Sequence, residues 1–590
     1  MEKYKTSWDL TLLYKSPKDP QIEKDLKKIE SICSSIQKKY QKTDFTKTPK
    51  GLFDALENVE KVTSSISESK PFVYVYLSTQ INTTDNNARA ILNKYEERIV
   101  IASNKLVFFD LAIASIPKKD QKKYLLYTPL KKYNYMLKKA FASAKYILSE
   151  KEEQLVSLFN QPSQSMWVDA NQKLLTNQMV QYGKKTIPLS EAEEVIKSLS
   201  KNERKSLYKE ILQAYKIVSV IAEPEINALV TTKKILDKKR GYKDIITPAL
   251  DSHELDKKTL EALLSSVGKH NKSAHYFFSL HAKLLKEKKL LYTDRFVEIG
   301  NIEKSFSFSS ATEMIKSTLA EVGQWYVDTF EDFLKKGQID VFPKPNKTSG
   351  AYCAGTVGNP VFILLNYANN LHSIETIAHE MGHAFHWIYS QQQPDHYRHH
   401  TMATAEVAST FFEQIFSDYI EKTLSEKEKV IYLHSKIQRD IQTIFRQISF
   451  FNFEKELHEY IRSKGYASSR EIQILLLKHM QEYLGPVFNL SEEDGLQYVS
   501  WSHLRLNFYT ISYAYGMLVS KGLFEYWKKD KNYIRKVEQF MKSGGSESPK
   551  DIFKKAGIDT TDPKFFEAGL KAIDADITRL EKLAKKLKMI

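Results

Sequence analysis

The stretch His379-Glu380-Met381-Gly382-His383, within Ser373 to Ser390, decides how the chain is read. Two imidazoles four residues apart stack on one face of a helix, the spacing that chelates a single metal ion. Between them Glu380 points off the chelating direction but stays within reach of a water on the metal, a place for a general base rather than a ligand. The chemistry suggested is metal-assisted hydrolysis. Ile374, Ile377, Ala378, Met381, Ala384 and Phe385 form the apolar stripe of a buried helix, and His379, His383 and His386 share the other face. Gly382 costs about 1 kcal/mol relative to Ala in a helix interior, so its expected use is close approach by another backbone or by substrate. The plain alternative is a buried helix whose histidines are merely satisfied.

A hydrolytic zinc site needs a third protein ligand and an open fourth position. Two candidates lie downstream: the loop histidines His396, His399 and His400, expected mostly to face solvent, and Glu406 on a second helix. Glu406 is favoured because Ala403, Ala405, Ala408 and Ser409 are small enough to let that helix pack tightly on the first. Glu413, two turns further along the same face, could hold a ligand histidine by its other nitrogen.

These residues carry a resemblance. His379-Glu380-Met381-Gly382-His383 followed by Ala405-Glu406-Val407-Ala408-Ser409-Thr410 resembles the thimet oligopeptidase and oligoendopeptidase F family of zinc metallopeptidases, and within it the oligoendopeptidase F branch. Trp8-Asp9-Leu10, Arg240-Gly241-Tyr242, Gly350-Ala351-Tyr352, Pro360 through Asn366, and His503 through Tyr509 with Tyr513 are similar to family landmarks in the expected order. The resemblance implies a mainly α fold of two helical lobes, with a small β-sheet beside the zinc helix and a deep peptide channel. It implies one zinc ion held by His379, His383 and Glu406, and Glu380 as the base. His503 and Tyr509, with Tyr513, would donate to the oxygen of the scissile carbonyl. The implied activity is endopeptidase action on short peptides, sparing folded proteins. The chain departs from the usual branch pattern at Leu504 and Arg505, where aromatic residues are common.

A chain of 590 residues exceeds the usual single hydrophobic core, and 42% apolar residues are ample to fill more than one. Cys33 and Cys353 match no metal or redox spacing, which favours a reducing compartment. Met1 to Trp8 lacks an apolar run of secretory type, and the apolar window Val107 to Ile116 is short and contains Asp110. A cytoplasmic protein without membrane partner is therefore expected. The formal charge of +16 raises the question of nucleic acid, but the lysines are scattered over polar helix faces and no nucleic-acid motif occurs. Short peptides are the expected partners. Rival readings are an exopeptidase, with Arg505 as the suspected grip on a terminal carboxylate, and an idle peptide-binding protein. Manganese or cobalt could also occupy the three ligands.

Elsewhere the pattern is helical. Ile22, Leu26, Ile29, Cys33, Ile36 and Tyr40 form a seam that wants a partner helix, and Leu52, Leu56 and Val59 begin another. Met179 to Pro188 suggests a hairpin around Gly183-Lys184, and Ser190 to Glu193 offers a capping box. The lobe boundary is placed near residue 200, giving an N-terminal helical domain over 1–200 and the peptidase domain over 201–590. Val361 to Leu365 reads as a buried or edge strand, and an edge there could take an extended peptide as one more strand. Asn507 is expected to cap a helix that presents Tyr509 and Tyr513 on one face. Pro563 to Ile590 is expected to end the chain as a charged surface helix.

Overall fold

The computed structural model describes residues 4–63 and 70–590, so Met1 to Lys3 of the N-terminal octet lie outside the described residues. Helices dominate. Pro20–Tyr40 (α1) buries Ile22, Leu26, Ile29, Ile32, Cys33, Ile36 and Tyr40, as the seam requires. It packs along Asn86–Asn104 (α2), where Arg98 binds Glu30 at 2.7 Å and Glu23 at 2.8 Å. One core of this part gathers Ile36, Leu52, Leu56, Phe109, Tyr133 and Leu137. Glu150–Asn160 (α3) starts from a capping box of Ser149 and Glu152 and buries no residue of its own.

The hairpin forms as expected. Met179–Tyr182 (β1) pairs antiparallel with Lys185–Pro188 (β2), and Gly183 takes the positive φ of 59° that the two-residue turn demands. Ser190 does not cap. The next helix begins at Leu189 with Pro188 before it, and Glu193 instead accepts a hydrogen bond from Tyr215. The Ser/Glu box that does form is Ser200 with Glu203, opening the long helix Lys201–Arg240 (α4). Its far end leans on the N-terminal part: Arg240 binds Glu153 of α3 through two bonds of 2.6 and 2.8 Å, and Tyr146 stacks on Tyr242 with ring centroids 3.8 Å apart.

A three-stranded sheet flanks the centre of the molecule, built from Ile339–Asp340 (β3), Tyr352–Ala354 (β4) and Phe362–Leu364 (β5). The order is β3-β5-β4, with β5 parallel to β3 and antiparallel to β4. The strand within Val361 to Leu365 is thus central, and the outer strand beside the next helix is β4. β5 reads as an uninterrupted apolar run because both of its faces are packed: Ile363 joins the largest core, while Phe362 and Leu364 join a second one around Trp8. Trp8 docks on this sheet: its indole N–H donates to the Ile363 carbonyl at 2.8 Å, and its backbone N–H to Asp340 at 3.2 Å.

Beyond the sheet come Leu371–Ser390 (α5), Met402–Glu421 (α6), Glu426–Ile441 (α7), Gln447–Lys464 (α8), Ile511–Lys529 (α9) and Pro563–Lys586 (α10). The largest core extends from Leu175 to Leu580 and contains the inner faces of all six. The last helix is more than a surface element. Phe566, Leu570, Ile573, Ile577 and Leu580 are fully buried against α7 and α9, and only its charged face is wet. Among the described residues no single helix is long and apolar enough to cross a membrane.

Candidate active site

The site starts with how closely three helices approach. Asn370 caps α5 by accepting the Ser373 N–H at 2.9 Å, so the helix enters the core with Ile374, Ile377, Met381 and Phe385 inward. At Gly382 the backbone of α6 comes against α5: a Cβ placed there would lie 2.6 Å from the Ser409 Cα and 2.8 Å from the Ala408 oxygen. Gly516 does the same between α9 and α6, where a Cβ would meet the Glu406 Cβ at 2.9 Å. Close approach by another backbone, the use expected of Gly382, is what occurs.

Glu406 is thereby carried to the two imidazoles. Its Oε2 lies 3.5 Å from His379 Nε2 and 3.8 Å from His383 Nε2, and the three ligand atoms fall within 4.8 Å of one another. Each side chain keeps about a fifth of its surface open, at 25%, 17% and 21%, so the cluster is reached from one side. His379 Nδ1 is 3.1 Å from Glu413 Oε2, which fixes the ring and turns Nε2 toward Glu406. Burial raises the Glu406 carboxyl, but the His379 hydrogen bond and the two imidazoles overrule it and hold it near 2. Burial, reinforced by His379, lowers His383 to about 4. Burial would lower His379 as well, but its hydrogen bonds to Glu406 and Glu413 overrule it and raise this imidazole well above its ordinary value. A divalent ion binding here would meet an ionised carboxylate and a neutral His383 and displace a proton from His379. Two nitrogens and one oxygen converging with open access fit a zinc ion with a fourth position free.

Glu380 is buried at 5% exposure, and its Oε2 has no hydrogen-bond partner. Burial pushes its carboxyl up to about 7, with His379 opposing and the charges of Glu406 and Glu413 adding to the rise. That is the range in which a carboxylate can both take and return a proton near neutral pH. Behind the ligands, Arg439 of α7 donates to Glu375 at 2.8 Å, as does the Tyr432 hydroxyl, so the acids on this side are matched by a cation.

His503, Tyr509 and Tyr513 do come together. His503 Nε2 and the Tyr513 hydroxyl share a hydrogen bond at 3.1 Å, the rings of His503 and Tyr509 stack at 5.6 Å, and Tyr509 meets Tyr513 edge-on at 5.4 Å. Burial raises the Tyr509 phenol, its hydrogen bond with Tyr513 opposes the rise and the charge of Glu406 adds to it, and the helix that follows, α9, abuts Glu406 at Gly516. The route to this arrangement differs from the one expected. Asn507 is not a cap: it takes φ 45° and Phe508 φ 64°, and the helix starts only at Ile511, leaving Tyr509 on the turn before it.

Arg505 is not available to a substrate terminus. It is buried, pairs with Glu225 at 2.6 and 2.9 Å, and donates to the carbonyls of Tyr498, Val499 and Trp501. Its whole donor set is used to fix the segment that carries His503. The loop histidines also depart from expectation. His399 is exposed, but His396 packs on Tyr133 at 4.9 Å beside Glu60, and His400 stacks on the buried His386 at 3.9 Å. A cleft of about 460 Å³ opens beside Tyr509, lined by Lys233, Arg240, Tyr242, His253 and Asn507. His253, 6.3 Å from Tyr509, carries no sequence signal, since it stands alone at the end of a short helix.

Comparison with known proteins gives the same picture. The profile of Peptidase family M3 matches residues 195–572, and that described as Oligopeptidase F matches residues 113–176. The chain is 25% identical over 599 residues to an oligoendopeptidase F homolog of Lactococcus lactis subsp. lactis (strain IL1403), covering 99% of this chain and 98% of that one. It is 23% identical over 603 residues to oligopeptidase PepF of Bacillus subtilis (strain 168), covering 99% and 88%. The crystal structure of oligoendopeptidase-F from Enterococcus faecium shares the fold, with a TM-score of 0.71 and 19% identity over 96% of this chain and 98% of that chain.

Proposed function

The chain belongs to peptidase family M3, and from that premise we propose that it is a zinc-dependent endopeptidase cutting internal bonds of short, unfolded oligopeptides. The observation that carries the reading is the convergence of His379, His383 and Glu406 beside the unpartnered carboxylate oxygen of Glu380. Zinc held by those three residues would polarise the scissile carbonyl and lower the pKa of a water in its open position to roughly 7.

Everything else falls to the chain. Glu413 orients His379 and keeps its Nε2 directed inward. Glu380 removes a proton from the attacking water at its free oxygen and later delivers it to the leaving nitrogen. The Tyr509 phenol and the His503 ring donate to the carbonyl oxygen as negative charge grows there, a contribution of about 3 to 4 kcal/mol per donor. Tyr513 holds His503 through their shared hydrogen bond. The cleft beside Tyr509 takes the peptide on one side of the cut, and the outer strand β4 offers backbone groups to an extended chain. The commitment of Arg505 to Glu225 favours internal cleavage over capture of a terminal carboxylate.

The division into an N-terminal helical domain over 1–200 and a peptidase domain over 201–590 belongs to the same proposal; the two family profiles change over between residues 176 and 195, and the large core already takes in Leu175, Val180, Ile187, Leu189, Ala192 and Ile196. So does a cytoplasmic location, with Cys33 and Cys353 not joined in a disulfide.

The test is mass spectrometry of an end-blocked peptide pool of mixed lengths, incubated with zinc-loaded wild type and with Glu380→Gln. Internal cuts in short peptides by wild type alone are expected. Absence of cleavage by folded, zinc-loaded protein sinks the proposal, and cleavage restricted to peptides with a free end points to an exopeptidase.

A further inference from the structure

The turn that presents Tyr509 is costly. Asn507 and Phe508 are consecutive non-glycine residues with φ of 45° and 64°, a conformation Asn tolerates but a bulky aromatic residue adopts only under strain. Such a conformation persists only where its surroundings over-determine it. On the upstream side the buried pair Arg505–Glu225 ties the segment to α4. On the downstream side the Phe508 N–H donates to Glu454 Oε1 of α8 at 2.7 Å, in a fully buried contact. The Phe508 ring, also fully buried, lies 5.6 Å from Phe451 and 5.0 Å from His458 of the same helix.

Glu454 is hard to explain as a packing residue. Its side chain is 0% exposed, its Oε2 has no hydrogen-bond partner, and the nearest imidazole nitrogen, His458 Nε2, is 3.9 Å away. Lys233, the nearby cation, is committed to Asp237 at 2.8 Å. An acid buried with so little compensation is less favourable than an apolar side chain of its size. What it does accomplish is the single hydrogen bond to the peptide immediately before Tyr509.

We propose that Glu454 is a positioning residue for the reaction: its carboxyl accepts the Phe508 N–H and holds the left-handed Asn507-Phe508 turn that sets Tyr509 against His503 and Tyr513. The inference rests on the reading of Tyr509 as a donor to the scissile carbonyl. Glu454 touches neither substrate nor metal and acts through the orientation of one peptide plane. An acceptor at Oε1 is what matters, so an amide serves where an apolar isostere does not.

The experiment compares kcat and KM for wild type, Glu454→Gln, Glu454→Met, Tyr509→Phe and the double variant Glu454→Met/Tyr509→Phe, with zinc content measured in each. Expected are a near wild-type kcat for Glu454→Gln, and a fall of about 10²-fold for Glu454→Met with KM and zinc unchanged, as for loss of one oxyanion donor. In the Tyr509→Phe background the Glu454→Met change is expected to cost little more, because both act through one phenol. Asn507→Gly added to Glu454→Met should restore part of the turnover, since glycine takes the left-handed turn without strain. Should Glu454→Met not fold, Glu454→Asp, which withdraws the acceptor by one methylene, is read the same way. Wild-type kcat in the Met or Asp variant, equal losses for Gln and Met, or losses that multiply in the double variant each overturn the inference. Full turnover in Tyr509→Phe alone is a different result: it removes the donor reading itself.

Discussion

Gly382 lies so close to Ser409 that a methyl group on it would stand 2.6 Å from the Ser409 Cα. The neighbouring atoms are backbone, so nothing nearby can yield by rotating a side chain. Gly382→Ala is therefore expected to push α6 away from α5 at a cost of about 1–3 kcal/mol. Glu406 moves with α6, so metal affinity should fall together with thermal stability. Calorimetric melting and zinc titration check both, and a variant that melts and binds zinc like wild type would show that the two helices can separate without disturbing the ligands.

Glu413 supports a further prediction. It grips the His379 ring at Nδ1, and its own charge is offset by the neighbouring Arg439. Glu413→Gln should weaken zinc binding by about 10–100-fold while leaving the helices in place. Competition against a chelator of known affinity measures this, with circular dichroism as the control for folding. Unchanged affinity would mean that the helix alone orients His379.

How far the sequence reaches is clear from particular residues. The grouping of His379, His383 and Glu406 with Glu380 and Glu413 was legible because each lies on one of two helices, where spacing alone sets direction. Gly382 was legible for the same reason, since a glycine inside an apolar helix asks for a close neighbour. The hairpin at Gly183 is equally local. Strand β5 was read as buried or edge because its central position depends on β3 and β4, which pair with it from separate stretches of chain. Arg505 looked available because Glu225, its partner, is 280 residues away. The turn at Asn507-Phe508 was misread as a cap for a similar reason. Asn favours both uses, and the choice is made by Glu454, 54 residues upstream.

Arg505 also separates the two peptidase readings. Removing it leaves Glu225 buried without its cation, so Arg505→Met should destabilise the fold by about 3–5 kcal/mol. The ratio of internal to terminal cleavage should not change in whatever protein remains folded, because the guanidinium, although Arg505 forms part of the cleft wall, has every N–H committed to Glu225 and to the carbonyls of Tyr498, Val499 and Trp501. A shift of that ratio, measured on paired free and end-blocked peptides, would return Arg505 to the substrate site.

The buried Glu454 gives stability a pH dependence whose sign can be worked out. Burial pushes its carboxyl up to about 8 from an ordinary value of 4.5, opposed by the Phe508 N–H and by the charge of Lys233. Between those two values the folded chain holds a proton that the unfolded chain has released, so stability falls as pH rises. The contribution is complete below about 4.5 and lost by about 8. The neighbours leave that trend in place: burial keeps His458 neutral, lowering it to about 3, and Lys233 stays paired with Asp237. Glu454→Gln cannot ionise and should lack this slope. Its denaturation midpoint in urea is expected to gain on wild type steadily from pH 5 to pH 8 and to run parallel above that. A constant difference between the two proteins across the window would show that Glu454 is ionised in the fold throughout, with the amide contributing only a fixed offset.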